Sequence, residues 1–199
     1  HLKNPSITNI KKYFKTWYVP NNMAICMSGD LNPDETIKII NKYFGEMKAN
    51  PNLPERPQHK ESPIKEPVVK EVVGLDAESV ALAWRMPTTV DDEIVSSLIS
   101  SILYNGQAGL LDVNLNQQQK VLGAQAMSYT RPDAGEFLIM ANPKQGQTLD
   151  EVKDLVLAEI AKLRAGEFDE ALLTGTLNNM KLRQMRMLES NSDRADMFV

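Results

Sequence analysis

Apolar residues along this chain recur with two periods, and the switches between them predict its elements. Ile7, Ile10, Tyr13, Phe14 and Trp17 fall three or four apart, which predicts a short amphipathic helix opening at Asn4-Pro5 and running to about Lys15. Val19-Pro20-Asn21-Asn22 carries turn chemistry and stops it. From Met23 to Ser28 every side chain is small or apolar, which predicts a strand buried on both faces. Asn32 then caps a helix with Pro33 at its first position, and Ile37, Ile40 and Phe44 keep helical spacing up to Gly45.

Pro51, Pro54, Pro57, Pro63 and Pro67 interrupt all periodicity, so residues 48–67 are expected to be an extended linker. Val68–Val73 and Ser79–Met86 flank Gly74-Leu75-Asp76 and predict two strands of a hairpin or meander. Acids at Asp91, Asp92 and Glu93 suit a helix start, and Ile94, Leu98, Ile102 and Leu103 continue one face to Asn105-Gly106. A shorter helix is expected over Ala108–Gln117. Lys120–Arg131 and Glu136–Ala141 surround the turn Pro132-Asp133-Ala134-Gly135 and predict a second hairpin. Thr148 and Glu151 match a capping box for a helix to about Ala165, stopped by Gly166, and Asp169 opens a last long helix to about Glu189 with Leu172, Leu173, Leu177 and Met180 inward. Strands first and helices gathered afterwards imply an α+β layer fold, a mostly antiparallel sheet backed by helices.

Composition narrows the function. At 42% hydrophobic and 24% charged residues the chain is ordinary for a globular protein, and no apolar run nears the roughly 20 residues that span a bilayer. A net charge of −4 without a Lys/Arg cluster argues against nucleic acid as a partner. The lone Cys26 cannot form an internal disulfide and is expected to be an inert buried thiol. His1 and His59 are too far apart in sequence to announce a metal site, and no His-x-x-His or Cys-x-x-Cys pair exists. No G-x-S-x-G, G-x-G-x-x-G or phosphate loop is present, and Asp91–Glu93 is better explained by the helix dipole than as a catalytic carboxylate pair. Methionines between Met180 and Met197 at helical spacing are expected in the core. The chain starts without an initiator Met and ends inside an apparent new helix, as a piece of a longer protein would.

The ordered segments His1-Leu2-Lys3-Asn4-Pro5-Ser6, Tyr18-Val19-Pro20-Asn21-Asn22-Met23, Gly29-Asp30, Tyr43-Phe44-Gly45, Trp84-Arg85-Met86-Pro87, Ile102–Gly106 and Leu163–Glu170 resemble the pitrilysin/insulinase family of zinc peptidases, the inverzincins. The resemblance covers essentially the whole chain, downstream of the family's H-x-x-E-H helix. It implies the closing part of a zinc-type α+β domain in residues 1–47, the linker, and in 68–199 most of a second, non-zinc domain of the kind found in processing-peptidase-like metallohydrolases. By the same resemblance zinc is expected in the parent protein, peptides as its substrates, and another half or a partner subunit as the rest of a closed chamber. No catalytic, cofactor or metal residue carries over, because the zinc motif has no match here. The family's substrate-holding Arg and Tyr, seven residues apart, fall on Leu115–Ala124: Asn116 stands in place of the Arg, and Gly123 or Ala124 in place of the Tyr. A single cysteine suits cytoplasm and periplasm alike, and the resemblance allows as an alternative a non-catalytic binding or assembly subunit.

Overall fold

The computed structural model describes residues 3–57 and 62–198, and the chain divides into two compact units, 1–57 with 182–199, and 58–181. The α+β reading holds. The second unit is built on three antiparallel strands, β1 (Val80–Met86), β2 (Gly123–Arg131) and β3 (Ala134–Asn142), in the order β1-β3-β2. Two residues, Pro132 and Asp133, join β2 to β3, and Arg131 pairs with Ala134 across the turn. Alternation along β3 turns Phe137, Ile139 and Ala141 into the core, opposite Ala124 and Ala126 of β2 and Val80, Leu82 and Trp84 of β1. The other face carries half-buried Leu138 and Met140 with exposed Glu136.

Two helices cover the core face. Helix α3 (Val90–Leu103) is capped by Thr89, whose Oγ1 accepts the Asp92 N–H at 3.2 Å, and buries Ser96, Ile102 and Leu103. Helix α4 (Leu149–Ala165) buries Val152 and Val156, one turn apart, against the sheet. Its capping box forms as the Thr148–Glu151 spacing predicts, and Gly166 closes the helix at φ +73°. Leu111 and Leu115 fill the space between helices and sheet, each fully buried and contributing roughly 1.5–3 kcal/mol. Where a helix over Ala108–Gln117 is expected, a five-residue π-helical segment, Asp112–Asn116, occurs instead.

In the first unit, α1 (Ile7–Trp17) starts at Ser6, whose Oγ accepts the Asn9 N–H, rather than at Asn4. A short 3-10 turn, Pro20–Asn22, follows, and α2 (Pro33–Phe44) has the Asn32 cap that the sequence predicts. Asn50 ties the start of the proline-rich stretch back: its N–H donates to Asn21 Oδ1 at 2.9 Å and its Nδ2 to Thr16 O at 3.2 Å. Helix α5 (Glu170–Met187) and the short α6 (Asn191–Asp196) complete the chain.

Two expectations fail and a third holds only in part. Met23–Ser28 forms no strand, and Met23, Ile25 and Met27 are exposed; strand geometry is held by ladder partners, and none lies beside this run among the described residues. Val68–Val73 is likewise outside any strand, so no hairpin with β1 is formed. On α5, Leu172, Leu173 and Met180 are half-buried as expected, but Leu177, Met185 and Met187 are exposed and Thr176 is the buried residue.

Candidate functional site

The segment between α3 and β2 is where the resemblance finds the substrate clamp missing, and two of its side chains, Asp112 and Asn116, are bound to backbone there. Asp112, buried, accepts three backbone N–H groups at one carboxylate oxygen: Asn105 and Gly106 at 2.9 Å and Gly109 at 3.1 Å. Those donors lie in the turn between α3 and the π-helical segment, so one charged carboxylate satisfies three backbone amides of that turn. Gly109 is needed there, because a Cβ would stand 2.5 Å from Leu103 O. The π-helical turn follows, with Lys120 N–H donating back to Leu115 O and Gln119 held at φ +51°.

Asn116 and Ala124 are brought face to face. The Asn116 Nδ2 donates to Ala124 O and its Oδ1 accepts the Ala124 N–H, both at 2.8 Å. Where the resemblance finds the substrate-holding pair missing, the Asn116 side chain therefore holds the chain's own backbone at Ala124. An arginine could not make this clasp, since a guanidinium has five donors and no acceptor. Gly123 is the β2 residue beside the clasp, with no side chain to offer.

Glu159 of α4 is a buried carboxylate that sequence reasoning missed. It accepts Asn114 Nδ2 and Lys162 Nζ, each at 2.7 Å, and so ties α4 to the π-helical turn. Its signal is an acidic residue on the apolar stripe between Val156 and Ile160. Asp112 has a comparable signal, a lone acid directly after Leu110-Leu111. Both carboxylates are engaged in bracing the fold.

The remaining candidates are dispersed. Cys26 is a half-buried free thiol rather than a buried one. His1 and His59 lie outside the described residues. Asp91 and Glu93 stand exposed at the α3 start, while Asp92 is hydrogen-bonded to its cap, Thr89. Among the described residues no group of three or more His, Cys, Asp or Glu is placed to hold a metal ion, so the donors present do not fit zinc, and no helix is long and apolar enough to cross a membrane. A shallow depression of about 660 Å³ between Glu78, Leu122, Asn142 and the α4 start is lined by Lys144, Gln147 and Thr148; the Lys144 and Thr148 N–H groups and the Gln147 amide already serve the turn and the cap.

Comparison with known proteins places this geometry. A family model described as the peptidase M16 inactive domain matches residues 6–180. The chain is 28% identical over 208 residues to the zinc protease PqqE of Helicobacter pylori, an alignment that takes in 100% of this chain and 46% of that protein. A crystal structure of a protease from Helicobacter pylori superposes with a TM-score of 0.81 at 23% identity, covering 98% of this chain and 49% of that one. A protein described as a predicted insulinase family protease of Yersinia pestis gives 0.58 at 19% identity, covering 97% and 43%. The chain thus spans about half the length of these relatives, and the two structures carry the same α+β fold. With the inactive-domain pattern matched over most of its length, the chain belongs to the peptidase M16 inactive-domain family, the pitrilysin/insulinase group that its sequence resembles.

Proposed function

We propose that this chain is the non-catalytic scaffold portion of a zinc metallopeptidase whose metal site lies upstream of His1. In this reading residues 1–47 close the preceding zinc-type domain, 48–67 connect, and 68–199 form most of the second domain and one wall of a peptide-holding chamber completed by another half or a partner subunit. The observation that carries it is the match to the inactive-domain pattern over residues 6–180. The relative named as a zinc protease supports the same assignment for the parent protein. When bound, zinc would activate water for peptide hydrolysis at that upstream site. The residues of this chain contribute rigidity: Asp112, Asn116 and Glu159 fix the turn that faces β2 and α4.

The test compares the full-length protein with residues 1–199. Zinc content near one per chain and chelator-sensitive peptide cleavage are expected for the full-length protein and neither for the fragment. Stoichiometric zinc on the fragment alone overturns the proposal.

The Asn116–Ala124 clasp favours a second reading, a binding or assembly subunit that never held substrate at this position. An intact H-x-x-E-H sequence upstream of His1 excludes it.

A further inference from the structure

Asn105-Gly106 is the one Asn-Gly pair in the chain, and it stands exposed between α3 and the π-helical segment. Such a pair is chemically labile in a flexible chain, because glycine puts no side chain in the way when its own amide nitrogen attacks the preceding side-chain carbonyl. Space does not prevent attack here, since even a Cβ at Gly106 would meet nothing within 4 Å. Hydrogen bonding is what sets this pair apart from one in a flexible chain.

The attacking nitrogen, that of Gly106, donates to Asp112 Oδ2 at 2.9 Å, and the Asn105 N–H donates to the same oxygen at the same distance. The attacked group is fixed as well. Asn105 Oδ1 accepts the Gln107 and Ala108 N–H groups at 3.0 and 2.9 Å, and Nδ2, the leaving group, donates to Ser101 O at 3.1 Å. One side chain thus caps the turn ahead of it and reaches back onto α3. Ring closure forfeits two of these bonds by composition alone: Gly106 N gives up its hydrogen, and Nδ2 departs. Asp112 is buried, so the loss of a donor falls on a carboxylate that water does not readily resolvate.

We propose that Asn105-Gly106 is a deamidation site that the Asp112 turn holds closed and that reacts when the turn opens. In the open turn the Gly106 nitrogen attacks Asn105 Cγ; the N–Cγ bond forms, the Cγ–Nδ2 bond breaks, and ammonia leaves with the proton that the nitrogen gives up. Water then adds to either carbonyl of the succinimide and yields aspartate or isoaspartate. Isoaspartate lengthens the main chain by one methylene between the Asn105 and Gly106 nitrogens, the two donors that Asp112 grips through one oxygen. The turn cannot then close as before, and its opening is recorded in the covalent chain. This inference is independent of the zinc reading.

Peptide mapping by mass spectrometry tests it, after incubation of the full-length protein in mildly alkaline buffer beside a synthetic peptide of residues 101–112 and the Asp112→Asn variant. Conversion of Asn105 is expected to be at least about tenfold slower in the native protein than in the peptide, and to return toward the peptide rate in Asp112→Asn. Where that variant does not fold, wild type in sub-denaturing urea replaces it, and conversion should rise in step with hydrogen exchange of the Gly106 and Gly109 amides. Peptide-like conversion in the native protein overturns the proposal. So does a folded Asp112→Asn variant that converts as slowly as wild type, or exchange of the Gly106 and Gly109 amides in urea without a gain in conversion.

Discussion

Both polar atoms of the Asn116 side chain are engaged by one backbone unit, and that makes the residue hard to replace. Asn116→Ala leaves the Ala124 N–H and C=O without partners at a largely buried edge and is expected to destabilise the second unit by about 2–3 kcal/mol in urea unfolding. Asn116→Asp should fall between, because a carboxylate still accepts the N–H but is set against the carbonyl. An Asn116→Arg substitution, which introduces the residue type that the resemblance aligns with this position, should cost at least as much as alanine. At the surface the scale is smaller. The hydrogen bond from Lys153, and then its charge, hold the Asp150 carboxyl below its ordinary value, and the same pair raises Lys153. A depressed carboxyl contributes stability above its unfolded titration range and loses it as pH falls through the folded value. For a fully exposed pair that contribution is small. Lys153→Ala should return Asp150 toward the usual carboxylate range in an NMR titration.

Helix α4 shows what local sequence can specify. Thr148, Glu151 and Gly166 act within a turn of where they stand, so the cap, the box and the stop are legible without any tertiary context. Thr148→Ala should lower stability by about 1 kcal/mol. The same legibility holds for the Pro132–Asp133 hairpin turn. It fails at Asp112–Asn116, because apolar spacing does not distinguish an i+4 from an i+5 turn; the extra residue is set by Asp112 gathering three amides and Asn116 reaching Ala124. It fails again at Met23–Ser28, where alternation describes a side-chain pattern and a strand also needs a neighbour. The candidate site was legible as a position, and its role was not, since only coordinates show which backbone an asparagine grips. Glycines separate the same two causes. Gly109→Ala drives a Cβ into Leu103 O and should strongly destabilise the turn, whereas Gly175 in α5 has open space and helical backbone, so Gly175→Ala should stabilise by about 0.5–1 kcal/mol. Thermal unfolding of the pair gives opposite signs.

Apolar burial is concentrated in one of the two units, and that inequality governs how the 199-residue chain should respond to stress. Residues 58–181 contain the cluster around Leu111, Leu115, Ile139, Val152 and Val156. In the other unit Val19 is the buried hydrophobic residue among those described, α1 and α2 bury none, and Ile10, Phe14, Ile37 and Tyr43 are all exposed. Apolar surface of this extent is seldom left open in a protein at work. The relatives are about twice as long, so they have polypeptide to cover such faces. Leu111→Ala should therefore cost about 2–5 kcal/mol, and Ile10→Ala in the same chain less than about 0.5. Limited proteolysis of the 199-residue chain should cut within 3–57 well before 62–181, with a hydrophobic dye binding until the first unit is removed. If the parent protein proposed above carries polypeptide over these faces, both the early cuts and the dye signal should disappear in it. Equal resistance of the two units in the short chain would mean that α1 and α2 draw their stability from something other than apolar burial, since their caps and the Asn50 ties supply only a few hydrogen bonds at about 1 kcal/mol each.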